Sequence, residues 1–572
     1  MNNNLVTAII LSVAIMLGFQ YFYVKPQQDY ARSHAIAQQV EKEGKIAAPE
    51  SANATLRDRA VILPEAARVK LDTPELSGSI DLKGAQFDDL LLNKYRETPD
   101  PASPAIVLLS PSGSAPPHKA FYASFSWLGS AGVAVPTADT LWSADGKTLT
   151  PDHAVKLSWD NKQGLLFERT IAVDKDSMFT ITDRVANTGK TPVTLYPYGV
   201  VARQGLPAAE ARSVVHEGGL GVLGGTLEEY KYKKLAEDGK QVNESTGGWL
   251  GITDKYWLVA MVPPQDEKIT AEFAYNAEGA SNPDMGFYQS DFRGAAMNIA
   301  PASSVEQTTH LFAGAKQVKL LDFYADKYDI PHFDKAIDFG WFYFLTKPFL
   351  YLLTKLANAL GSIGIAILVF TVLLRCATLP LSLKSFHSMA RMKALQPQMK
   401  EIQERFPDDK MRQSQETMEL YRREKVNPLS GCFPTLIQIP IFFALYKVLY
   451  VNIEMRHAPF FGWIHDMSAP DPTSVLNLFG LLHFPAPLFF HIGAWPILMG
   501  CSMFMQQRLS PQPPDKSQAR VFMVMPFVFT YMLAAMPAGL VIYWTWSNLL
   551  GIGQQWFIMS RDAARNGTKV SR

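Results

Sequence analysis

Apolar positions fall into two regimes along this chain. Residues 5–24 run without a charge, and from about 360 to 559 five apolar stretches recur, at roughly 360–381, 431–451, 494–509, 521–536 and 538–559. Between them lies an ordinary polar region in which short alternating runs repeat, such as "LLFERTIAV", "MFTITDRVA" and "PVTLYPYGVVA". A period of two predicts half-buried strands, and many such strands predict a two-sheet sandwich over 61–330. A charge-free run of some twenty residues spans about 30 Å as a helix, the thickness of a bilayer core. The expected fold is therefore a multi-spanning α-helical membrane protein with six spans, a large all-β domain between the first two, and a helical hairpin between the second and third.

The first run ends in Phe19, Tyr21, Phe22 and Tyr23, an interfacial aromatic belt. A cleaved signal peptide is the rival reading, because Ala35-Ile36-Ala37 resembles a cleavage site. Lys25, Asp29 and Arg32 separate that site from an apolar run too long for a signal, which favours an uncleaved anchor over 1–24. Residues 25–60 are polar and aperiodic, a linker. Segment 333–356 mixes aromatic residues with Lys335, Asp338, Lys347 and Lys355, as a helix lying in the membrane interface does.

Basic residues set the orientation. The segment 383–426 and its borders carry Lys384, Arg391, Lys393, Lys400, Arg405, Lys410, Arg412, Arg422, Arg423 and Lys425; the turn near 510–520 has Arg508, Lys516 and Arg520. The tail 560–572 adds Arg561, Arg565, Lys569 and Arg572, whereas 452–493 has only Arg456. Both termini and the hairpin 383–426 are thus expected in the cytoplasm and the sandwich outside. Met389, Met392, Leu395, Met399, Ile402 and Phe406 give the hairpin an apolar seam, and Pro397 is expected to kink its first arm. Two uses stand open for it: a dock for ribosome or targeting factors, or a solvated connector.

Arg375 interrupts an apolar run, and an arginine within a span costs about 2.5–3.5 kcal/mol on insertion scales unless water or a partner meets it. It could snorkel to the cytoplasmic headgroups. Against that reading, Thr371, Arg375, Thr378 and Ser382 follow helical spacing and draw one polar stripe. Comparable stripes are Thr435 and Gln438 with Tyr446, then Ser502 and Gln506, then Ser547 or Asn548 with Gly551 and Gln555. Ordinary interhelical hydrogen bonds explain any single stripe; four of them with an arginine favour a shared hydrated groove. The methionines of the same spans suit either varied apolar clients or plain core filling.

The remaining chemistry is mostly negative. A net charge of +1 lacks the basic surface that nucleic-acid binding demands. The three cysteines, Cys376, Cys432 and Cys501, sit in apolar stretches, and no metal-ligand spacing, Walker motif or nucleophile-base pair is legible. The glycine-rich "GGLGVLGG" at 218–225 lacks the Lys-Ser/Thr of a phosphate loop and reads as a flexible loop. His483 and His491 read as loop residues. No cofactor is expected. A secondary transporter and an anchored extracytoplasmic enzyme are the rival classes; absence of a repeat or an intramembrane acid weighs against the first, and five additional spans against the second.

Five stretches then carry a family likeness: "DFGWFYFLTKPF" at 338–349, "LLRCATLPLSLKSFHSMARMKALQP" at 373–397, "YRREKVNPLSGCFPTLIQIPIFFALYKVL" at 421–449, "FGWIHDMSAPDP" at 461–472 and "MPAGLVIYWTWSNLLGIGQQ" at 536–555. The sequence resembles the YidC family of membrane protein insertases, in its Gram-negative branch with a large periplasmic domain. The resemblance implies an inner-membrane insertase and chaperone, not an enzyme, acting on nascent membrane proteins alone or beside the Sec translocon. Ribosome and targeting factors would meet the hairpin and tail, and membrane lipids the spans. It also implies that Arg375 supplies the charge of a groove open to cytoplasm and lipid, with Thr378, Gln438, Gln506 and Asn548 as polar lining. Thr371, Tyr543 and Trp544 would form the slide that clients contact; Trp544 stands where the branch often has a second tyrosine.

Overall fold

The computed structural model describes residues 56–129, 132–207, 215–277, 285–407, 409–424, 433–480, 482, 492–509 and 516–565. The anchor at 5–24, nearly all of the linker, His483, His491, Cys432 and the tail beyond 565 lie outside them, as does the side chain of Thr435. The chain divides into two compact units, Met1–Ile337 and Asp338–Arg572.

The first unit is a sandwich of two large, mostly antiparallel sheets. One runs edge to edge through Gln241–Thr246, Lys268–Asn276, Phe287–Gly294, Val193–Gln204, Phe121–Gly129, Gln86–Arg96, Leu76–Asp81, Arg68–Asp72 and Thr148–Leu149, with two short strands off this path. The other runs through Thr226–Lys231, Gly218–Leu223, Trp249–Thr253, Trp257–Val262, Ser303–Ala315, Met178–Asn187, Leu165–Val173, Val155–Asp160 and Ser143–Ala144. The alternation in sequence becomes alternation in burial: along Leu165–Val173 every second residue is buried. Their inner faces share one core, in which Phe87 of the first sheet meets Phe179 of the second edge-on at 5.2 Å. Helix α1 (Val318–Tyr328) follows the last strand, its Tyr324 hydroxyl donating to Asp174 and accepting from the Ser177 amide.

The segment expected to be a flexible glycine loop is instead a buried strand, Gly218–Leu223, and a tight turn at Gly224 and Gly225. A Cβ on Gly219 would lie 2.6 Å from the Phe273 ring of the opposite sheet, and one on Gly221 2.6 Å from the Trp249 carbonyl. Glycine here permits close approach, and φ values of 56° and 79° at Gly224 and Gly225 meet the demand of a two-residue hairpin turn.

The second unit is helical. After a turn at Gly340 (φ 68°), α2 covers Tyr343–Leu360, so the helical part of 333–356 starts later than expected; Phe333–Ala336 is a 3₁₀ turn within the first unit. Then come α3 (Ile363–Ala394), α4 (Gln396–Arg405), α5 (Lys410–Arg423), α6 (Phe433–Val451), α7 (Ala494–Leu509), α8 (Lys516–Leu533) and α9 (Ala538–Arg565). Among the described residues only Ile363–Pro380 is a helical stretch long and apolar enough to cross a membrane; Gln438–Val451 and Arg520–Leu533 are shorter apolar helices. Polar groups such as Gln506, Asn548 and Gln554 dilute the apolar character of α7 and α9.

Helix α3 continues through its span into the first arm of the expected hairpin. The chain breaks at Leu395, and Pro397 occupies the first turn of α4, where its missing N–H costs nothing. Instead of kinking an arm, the proline opens a new helix. α4 and α5 close on Leu395, Met399 and Leu420, and Asp409 caps α5 by accepting from the Arg412 amide.

Two outcomes follow for the sandwich. Arg169 is fully buried and donates to both Asp183 oxygens, at 2.6 and 2.8 Å. Asp183→Ala strands that charge and is expected to cost about 3–5 kcal/mol, read as a lowered urea midpoint, with Arg169→Met/Asp183→Leu recovering most of it. His310, half-buried between Thr180 and Tyr328 and repelled by Lys327, is pushed down to about 4, desolvation being the larger cause. It is neutral when folded but takes up a proton near pH 6.5 when unfolded, so its contribution is full above pH 6.5 and is lost as pH falls toward 4. Unfolding curves between pH 7 and 4 should flatten in His310→Gln.

Candidate functional site

Helical geometry decides what α3 shows to its neighbours. Thr371 and Ser382 are buried, Arg375 and Thr378 half-buried, while Val372, Leu373, Cys376 and Pro380 are exposed. The polar stripe therefore faces inward and the apolar faces point out. Thr371, Thr378 and Ser382 donate to carbonyls one turn back, at 2.6, 3.0 and 3.1 Å, which lets hydroxyls lie in an apolar helix without cost in unmade bonds.

Arg375 turns away from any helix end and onto α9. Its Nη2 donates to the Ser547 hydroxyl at 2.7 Å and the Ser547 carbonyl at 2.8 Å, and its Nε to the same hydroxyl at 3.2 Å. No ion pair of Arg375 occurs among the described residues, so its charge is held by neutral oxygens alone. One turn before Ser547, the buried Tyr543 side chain lies beside both Ser547 and Gln438 of α6. One turn after it, Gly551 leaves room: a Cβ there would lie 3.2 Å from Gln506 Nε2 and 3.5 Å from both Arg375 terminal nitrogens. Arg375, Gln438, Gln506 and Tyr543 are thus gathered around Ser547 and Gly551.

Asn548 belongs to a different seam. Its Nδ2 donates to the Ser502 hydroxyl of α7 at 3.0 Å, and Ser502 donates to the Met499 carbonyl at 2.6 Å. The stripe read from the sequence admitted either Ser547 or Asn548, and the resemblance put Asn548 in the groove lining; it is Ser547 that the arginine bonds. The spacing Tyr543, Ser547, Gly551 was the available signal, a single face at every fourth residue. Thr378 satisfies its hydroxyl within its own helix.

The expected client slide is divided. Thr371 and Tyr543 are only 1% and 2% exposed, and neither offers an open surface in this state. Trp544, about 100° further round α9, packs in an apolar cluster against Phe442 at 4.5 Å and Phe529 at 5.7 Å. Open apolar surface lies instead on α8, where Val521, Phe522, Met523, Val524, Phe527 and Met532 are all exposed. That concentration was not read from the sequence, because composition does not reveal how few neighbours a helix has.

These features define a class: a helical membrane unit with a cationic, polar-lined interior, joined in one chain to a large two-sheet domain. The family model of the 60Kd inner membrane protein matches residues 355–565, and that of the YidC periplasmic domain matches 68–352. The membrane protein insertase YidC of Methylobacterium radiotolerans is 49% identical, with 99% of this chain and 95% of the relative covered. That of Methylobacterium nodulans is also 49% identical, covering 99% and 96%, and that of Sinorhizobium fredii 47%, covering 99% and 96%. A crystal structure of an active YidC insertase with its first transmembrane domain resolved aligns over 86% of this chain and 92% of that one, at 15% identity and a TM-score of 0.35. The chain belongs to the YidC family of membrane protein insertases, inner-membrane proteins with a periplasmic domain.

The geometry separates two neighbouring side chains. Ser547→Ala removes the hydroxyl that receives two of the arginine's bonds and should destabilise the helical unit by about 1–3 kcal/mol, while Asn548→Ala should cost about 0.5–1.5. Thermal unfolding in detergent micelles of both variants gives the comparison. An Asn548 effect larger than that of Ser547 would contradict the assignment.

Proposed function

We propose that this chain inserts nascent integral membrane proteins into the bacterial inner membrane and assists their folding, through a polar groove centred on Arg375. The observation that carries the proposal to residues is the half-buried guanidinium of α3 held on α9 with neutral oxygens as partners. Such a cation attracts an acidic or polar segment strongly where water is scarce: a unit charge pair 4 Å apart is worth about 4 kcal/mol at an effective dielectric near 20 and about 1 in bulk water. Gln438, Gln506 and Tyr543 offer further polar contacts beside it, while Thr378 and Asn548 line the groove's flanks. Thr371, Tyr543 and Trp544 would meet the client's apolar part once α3, α6 and α9 part.

On this reading the chain crosses the membrane six times, with both termini and the α4–α5 hairpin in the cytoplasm. The basic residues around the hairpin favour that side, where it would meet ribosomes and targeting factors, and the Sec translocon would act alongside for some clients. Helix α7, 16 residues long, reaches only about 24 Å against a core of about 30 Å. A short helix draws lipid inward and thins the barrier locally. Insertion so driven needs no nucleotide and no covalent step; the chain works as an insertase and not as an enzyme.

The test is insertion of matched single-span clients with acidic, neutral and basic translocated tails into liposomes containing the purified chain, without ATP. Arg375→Lys should retain much of the activity, and Arg375→Glu should impair acidic-tailed clients most. Equal loss for all three tails would make the arginine structural and remove electrostatic attraction from the mechanism.

A further inference from the structure

Beyond the arginine, α9 carries two glutamines whose amides each keep one buried atom without a hydrogen-bond partner. Gln555 is 1% exposed and its Nε2 has no hydrogen-bond partner; the buried Oε1 of Gln554 has none either. Leaving a buried amide group unpaired costs about 1–3 kcal/mol, so each calls for a visiting partner. Both lie one turn beyond Gly551, three and four residues along the helix, and Gly551 packs against Arg375 and Gln506. One orphan is a donor and the other an acceptor.

An unpaired acceptor and an unpaired donor on consecutive residues of one helix match the two groups that every peptide unit carries, its N–H and its C=O. A client segment arriving as unfolded chain has those groups unpaired, and in a poorly hydrated site each must find a partner. We propose that Gln554 and Gln555 bind the main chain of the incoming segment, Gln555 Nε2 donating to a carbonyl and Gln554 Oε1 accepting from an amide N–H. Recognition of this kind does not depend on client sequence. It complements Arg375, which discriminates by charge, and it rests on the insertase reading above.

The experiment uses the full chain in phosphatidylethanolamine/phosphatidylglycerol vesicles and a neutral-tailed single-span client, made with normal amides or with two consecutive tail amides replaced by esters. An ester lacks the N–H and has a weaker carbonyl acceptor. Insertion is counted above that in protein-free vesicles. The wild-type chain should insert the ester client roughly fivefold more slowly than the amide client. Gln554→Leu/Gln555→Leu should insert the amide client at that same reduced rate and lose nothing more with the ester, and making the tail acidic or basic should leave these ratios unchanged. Equal insertion of both clients by the wild-type chain overturns main-chain recognition without any variant having to fold, and leaves the insertase reading standing. Ester and glutamine losses that multiply, or a loss that follows tail charge, overturn it as well. Failure of the wild-type chain to insert even the amide client overturns the insertase reading and this inference with it.

Discussion

A guanidinium held inside a helical unit by neutral oxygens constrains everything around it. Arg375 needs acceptors, and they come from one residue, Ser547, through its hydroxyl and its carbonyl. That fixes the rotation of α9 against α3. It also favours a small residue at position 551, one turn along, where a Cβ would touch the arginine at 3.5 Å and crowd the Gln506 amide at 3.2 Å. With the polar stripe of α3 turned inward, its apolar side chains have only the outside to face, the reverse of a soluble helix. The ion also remains electrostatically unfinished: hydrogen bonds to neutral groups stabilise its protons but leave its net charge in place.

The sandwich obeys different physics. Its residues follow a period of two, bury a shared aromatic and aliphatic core, and pair their buried charges directly, as Arg169 does with Asp183 and Arg203 with Asp254 at 2.5 Å. A water-facing domain can neutralise a buried cation with a carboxylate and needs nothing further. The helical unit does so where it needs only structure: Lys447 of α6 bonds Asp338 at 2.6 Å, just ahead of α2. Arg375, in the same unit, is bonded instead to neutral oxygens of Ser547.

Periodicity explains what the sequence could disclose. The strands at 165–173 and 178–187 were legible because alternation is local, and the stripe through Thr371, Arg375 and Thr378 because a helix repeats every three to four residues. Features set by distant partners were not legible. Gly218–Leu223 looked like a loop because the ring that requires Gly219, Phe273, lies more than fifty positions away in the other sheet. Ser547 and Asn548 differ by about 100° of helix rotation, and only the placement of α3 and α7 decides which meets the arginine. Pro397 was a kink or a start depending on where the preceding helix stopped, and Leu395 stops it.

Attachment is also uneven across the helical unit, and that unevenness bears on how an interior charge can be reached. α9 is gripped from several sides, with Val541, Tyr543, Ser547, Asn548 and Gln555 all buried. α8 packs on α7, where Thr530 lies against Gly500, and on α9, where Phe529 meets Trp544 at 5.7 Å, while the consecutive residues Val521, Phe522, Met523 and Val524, which complete a turn, are all exposed. Acyl chains solvate such a helix about as well as protein does, because association in lipid gains little from apolar burial. Moving α8 therefore exchanges apolar contacts with α7 and α9 for contacts with lipid, whereas moving α9 would strip Arg375 of its acceptors.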